Sequence, residues 1–132
     1  MSTASPKLIE QNAAWSYISA MSPPHPDADQ ITLSAVLAAL GDETRLAIVG
    51  HLSLCENVGM VCGQFLDLTS KTNLTYHIAK LREAGVVNVT PEGTRRRVTL
   101  RRADLDERFP GFLDTIIAAA IKSPLMASVS AA

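Results

Sequence analysis

Apolar residues recur at helical spacing in several stretches of the chain and alternate at strand spacing near its middle. In residues 32–40, Leu33, Val36, Leu37 and Leu40 fall at i, i+3, i+4 and i+7, which predicts one apolar stripe on an α-helix. Gly41 stops that helix. Asp42 is a natural N-cap for a second one, with Glu43 favourable in its first turn. Leu46, Val49, Leu52 and Leu54 are its inward positions. A break at 56–59 precedes a short third helix predicted over 61–67, with Phe65, Leu66 and Leu68 as its apolar content. The clearest pattern is 71–84. Ser70 or Thr69 caps it, Leu74, Ile78 and Leu81 repeat at i, i+4 and i+7, and Gly85 closes it.

Residues 86–90 are β-branched and predict a strand, 91–94 read as a turn, and 95–100 as the returning strand. Val98 and Leu100 share one face, and Arg95, Arg97 and Thr99 the other. A last helical stretch starts at Ala103 or Asp104, is interrupted near Pro110 and Gly111, and resumes with Phe112, Leu113, Ile116, Ile117, Ala120 and Ile121. That apolar face is wider than one small domain needs, as is the stripe of Leu33, Val36 and Leu37. Both are expected at a subunit seam. Before the domain, 7–21 predict a helix carrying Trp15, and Pro23, Pro24 and Pro26 form an elbow. The division expected is an arm over 1–30, a domain over 31–122 and a tail over 123–132.

Composition narrows the class. The 132 residues are 47% apolar and 19% charged, which fits one folded domain. No apolar run reaches the length of a membrane span, no secretory signal is readable, and two cysteines are too few for a disulfide scaffold. A cytoplasmic protein with no membrane partner is the expectation. The net charge of −1 hides an asymmetry. Residues 70–102 hold eight basic and two acidic residues, +6, while the rest of the chain holds four basic and eleven acidic ones, −7. A localised basic segment is the footprint of a polyanionic partner.

The element order is mainly α with a β-hairpin wing, the order of a winged helix-turn-helix. The major groove of DNA admits one helix, and sequence is read there by donors and acceptors projecting from it. The outer face of 71–84 carries Lys71, Thr72, Asn73, Thr75, Tyr76, Lys80 and Arg82, and meets no acid until Glu83. With Ser70 at the helix start, these are the candidate DNA contacts, Asn73 and Lys71 for bases. Arg95, Arg96 and Arg97 on the wing 86–100 suit the DNA backbone or minor groove. No glycine-rich phosphate loop, catalytic triad or paired-carboxylate cleft is legible, so an enzyme is not expected.

Three segments also resemble the ArsR-type (arsenic-repressor-like) regulators of bacteria. Residues 37–46, LAALGDETRL, resemble their second-helix entry. Residues 70–87, SKTNLTYHIAKLREAGVV, resemble their recognition helix and its exit, and 91–95, PEGTR, their wing turn. The resemblance covers about 31–121. It implies a homodimeric, operator-binding regulator, usually a repressor, dimerised through the first and last helices. It departs from the metal-sensing members, because 58–64 hold one cysteine and 111–122 neither histidine nor cysteine. No metal site or cofactor is therefore expected, and any small-molecule or metal effector is unidentified. Two alternatives stand beside this reading. One is a thiol-based metal or redox sensor using Cys55 and Cys62, although buried, unreactive cysteine is the commoner fate. The other is a winged helix used as a protein-interaction module, which calls for an apolar or acidic helix face. His77 is expected to orient its helix or touch phosphate, and Arg45 to pair with Asp42 or Glu43.

Overall fold

The computed structural model describes residues 23–128, so the predicted helix 7–21 and its Trp15 lie outside the described residues. Among the described residues, five α-helices and a three-stranded antiparallel sheet form a winged helix-turn-helix. In chain order they are α1 (Leu33–Leu40), α2 (Glu43–Ser53), β1 (Met60–Val61), α3 (Lys71–Ala84), β2 (Val87–Glu92), β3 (Arg95–Leu100), α4 (Arg102–Arg108) and α5 (Phe112–Ala120).

Local chemistry sets the helix boundaries. Thr32, Asp42 and Ser70 each accept a hydrogen bond from the backbone N–H three residues on, capping α1, α2 and α3. Gly85 ends α3 at φ +88, and a Cβ there would run into the buried Ile31 side chain, so only glycine fits. α2 is the hub. Its six consecutive residues from Ala47 to Leu52 are all buried, because α1, α3, α5 and β3 surround it. One-sided periodicity does not anticipate a helix buried all round. Ile48, Val49 and Leu52 are wholly enclosed, at about 1.5–3 kcal/mol of favourable transfer each. Leu54, expected inward, sits past the end of α2 and is 71% exposed.

Several expectations are corrected. The third helix over 61–67 is instead strand β1 followed by a 3-10 turn, Cys62–Phe65. Met60 and Val61 are drawn into the sheet by pairing with Val98 and Arg97 of β3, and Gln64 Oε1 accepts from the Val61 N–H at 2.9 Å. Phe65 is buried in the core and anchors the turn, with Cys62 partly buried against the same core. The turn 91–94 tightens to two residues, Gly93 and Thr94, with Pro91 opposite Arg96 and Glu92 opposite Arg95. Proline is tolerated because β2 is an edge strand in the order β1-β3-β2. The Val89 N–H points off the sheet to His25, and strand alternation puts position 91 on that same outward side, where an N–H would otherwise stand unpaired.

The stripe on α1 splits. Its buried arc is Val36, Ala39 and Leu40, while Leu33 and Leu37 lie outside at 42% and 47% exposure. Val36 and Leu113, both expected at a subunit seam, are fully enclosed in their own core and have no surface to offer one. Phe112, Ile116 and Ile117 are half-buried against that core. Residues 23–30, read as part of a separate arm, pack on the domain, and Ile31 is buried beneath α3's exit. The tail also begins packed, since Met126 fills the space beside Gly50 of α2.

Candidate nucleic-acid interface

Leu74, Ile78, Leu81 and Ala84 seat α3 in the core and turn its other side to solvent. Lys71, Thr72, Asn73, Thr75, Tyr76 and Lys80 are all exposed on that side, together with the cap Ser70. Two are partly engaged. The Thr75 hydroxyl donates to the Lys71 carbonyl at 3.1 Å, and Ser70 Oγ accepts from the Asn73 N–H at 3.3 Å. Lys80 Nζ stands 5.5 Å from the centre of the Tyr76 ring, a cation–π distance that orders both side chains.

The angle of α3 is fixed by a contact that joins two helices. Arg45 of α2 donates from Nε to the Ala39 carbonyl and from Nη1 to His77 Nδ1 at 3.0 Å, and Asp42 Oδ2 lies 3.9 Å from the same ring nitrogen. Arg45 was expected to pair with Asp42 or Glu43. The Asp42 carboxylate instead caps α2 by accepting from the Arg45 backbone N–H, and the guanidinium spans to α3. His77 orients its helix as expected, and the edge of its ring meets Tyr76 at 5.5 Å. A link between residues 32 positions apart leaves no periodic signal in the sequence.

The wing brings Arg95 and Arg96 to the surface and ties Arg97 down. Arg97 makes two 2.8 Å bonds to the Glu92 carboxylate and donates from Nη1 to the Val58 carbonyl at 3.1 Å. The Glu92 carboxyl is held below the ordinary range, first by the Arg97 hydrogen bond. Of the three wing arginines expected to meet DNA, Arg97 therefore braces the hairpin against the loop that leads into β1.

The same sorting applies to the whole basic segment. Arg82 donates to the Pro24 carbonyl, Arg101 to Asp104 and the Pro26 carbonyl, and Arg102 to Glu56 and Asp114. With Arg97, these arginines are fastened into the fold. Lys71, Lys80, Arg95 and Arg96 are exposed on α3 and the wing. A shallow cleft of about 120 Å³ joins these two elements, lined by Thr75, Arg82, Arg96 and Cys62 among others. The place of Cys62 between the helix and the wing leaves no signal in the sequence.

Burial pushes both Cys55 and Cys62 above the ordinary thiol value, and the Cys55 Sγ–H lies 3.5 Å from the His51 carbonyl. A thiol activated as a nucleophile has the opposite shift.

Residues 40–90 match the model of a family described as a helix-turn-helix domain. The chain is also 35% identical over 94 residues to an uncharacterized HTH-type transcriptional regulator, YceK, of Bacillus subtilis (strain 168). That alignment spans 67% of this chain and 88% of the relative.

Proposed function

The chain belongs to the helix-turn-helix transcriptional regulators, and on that premise we propose that it is an operator-binding repressor of the ArsR type. The observation that carries this reading is the exposed face of α3 from Lys71 to Lys80, free of acidic side chains and set beside Arg95 and Arg96 of the wing. Asn73 and Lys71 read base edges in the major groove, and Thr72, Thr75 and Tyr76 position the helix on phosphates and bases. Arg95 and Arg96 hold the backbone or minor groove alongside, and Ser70 sets the start of the reading helix. Repression follows from occupying the operator.

Two copies act together in this reading. Leu33 and Leu37 of α1, with Phe112, Ile116 and Ile117 of α5, supply the apolar seam of a homodimer, while Val36 and Leu113 support it from within each core. A two-fold axis there spaces the reading helices about one DNA turn, roughly 34–36 Å, apart. Fluorescence anisotropy on the chain's own promoter DNA, across a salt series, is the test. If each subunit engages roughly four phosphates, log affinity falls against log salt with a slope of about −7. A slope near zero overturns the electrostatic interface.

A further inference from the structure

Residues 23–31 cross the domain as a strap, and three consecutive residues in it are each fastened to a different element. The Pro24 carbonyl accepts from Arg82 Nη1 of α3 at 2.6 Å. His25 Nε2 accepts from the Val89 backbone N–H of β2 at 2.9 Å. The Pro26 carbonyl accepts from Arg101 Nη1, between β3 and α4, at 2.8 Å. The outer two bonds join guanidinium to carbonyl, and no change near neutral pH alters them. The middle one differs in kind. A backbone N–H can be received only by an imidazole nitrogen that has a lone pair. We propose that His25 is the pH-sensitive catch of this strap: the neutral ring closes it over the recognition helix and the edge of the wing, and protonation opens it.

The surroundings favour a ring that is neutral when the strap is closed. Arg82 approaches from α3 and Arg101 from the β3–α4 junction, so two guanidinium groups face the imidazole. Each has an acid of its own, Glu83 at 3.9 Å from Arg82 and Asp104 at 2.9 Å from Arg101. On β2 the neighbours of Val89 are the uncharged Asn88 and Thr90. Asp27 and Asp29 of the strap itself are exposed. A backbone hydrogen bond to Pro23 pulls the other way, toward the protonated ring, but by less than burial and the two arginines. Protonation removes the Nε2 acceptor and adds a third positive charge beside the two arginines. Burial, then Arg82 and Arg101, hold the imidazole below its ordinary value. Because the folded-state value is the lower one, the catch contributes fully above the unfolded histidine value of about 6.5 and is lost as pH falls through the folded value.

The consequence is local to one amide. In the full chain, the Val89 N–H is protected from hydrogen exchange above the unfolded histidine value of about 6.5 and loses that protection as pH falls, in step with titration of the His25 ring protons. His25→Gln offers a carbonyl acceptor that does not titrate, so Val89 stays protected across the same range. Following Val89 rather than global stability keeps His51, also buried and also lowered, out of the measurement. Protection of Val89 that ignores the His25 titration overturns the proposal, as does loss in His25→Gln with the wild-type pH profile. If the glutamine falls short and leaves Val89 unprotected at both ends of the range, coincidence of the two wild-type titrations decides the matter.

Discussion

Strand β3 starts with one pair of arginines and is followed by another, and the two pairs have opposite fates. Arg95 and Arg96 sit beside a two-residue turn, with side chains on the surface. Arg101 and Arg102 stand five residues on, at the foot of the strand, where α4, α5 and the strap converge. Arg101 is 8% exposed and holds Asp104 through two nitrogens, while Arg102 reaches Glu56, Asp106 and Asp114 together. Those acids hold the Arg102 guanidinium firmly protonated. Equal charge in the sequence thus becomes an exposed surface at one end of the strand and a structural joint at the other.

The largest separation between the two pairs is in stability. Arg101→Met leaves the Asp104 carboxylate and the Pro26 carbonyl without their donor, and is expected to cost about 2–4 kcal/mol in urea unfolding. DNA affinity per folded molecule should stay close to wild type. A comparable stability loss from Arg95→Ala would erase the distinction.

Next in size is the contrast within the proposed interface. Asn73→Ala should cost about 1–3 kcal/mol on the operator and little on unrelated DNA, since an amide pairs with a base edge. Arg95→Ala should weaken all sequences alike and flatten the salt slope by about one per subunit, with stability changed by less than about 0.5 kcal/mol. A wing variant that altered sequence preference would reverse the two roles.

The smallest effect is the brace between the two pairs. The Glu92 carboxyl is lowered in the folded protein, so its contribution is present above the unfolded carboxyl value and is lost as pH falls through the folded value. Amide exchange at the wing tip should therefore rise in acid, below about pH 4.5, and Arg97→Gln should abolish that rise. An unchanged acid profile in Arg97→Gln would show that the brace does not order the tip.

What the sequence revealed and what it hid divide along the range of the interactions. The caps at Asp42 and Ser70, the stop at Gly85 and the apolar repeat of Leu74, Ile78 and Leu81 act within a few residues, and each was legible. β1 was hidden because two residues cannot display a strand period. The split between Val36 and Leu37 depends on how α1 is rotated against its neighbours. The arginines were misjudged as one basic field because their partners lie far off along the chain, Glu56 at 46 residues from Arg102 and the Pro26 carbonyl at 75 from Arg101. The exposed polar face of α3 was legible because solvent exposure there follows from the helix's own repeat. The Arg45–His77 bond that aims it was not.

Gly59 carries a consequence for association. A Cβ at that position would collide with the Thr99 methyl and the Val98 carbonyl, so the backbone entering β1 lies directly against β3. Arg45 in turn fixes α3 to α2. Helix and wing are thereby rooted in the same hub, and their spacing is set before any DNA arrives. Docking of such a preorganised pair loses little conformational entropy, so more of the contact energy is left to appear as affinity.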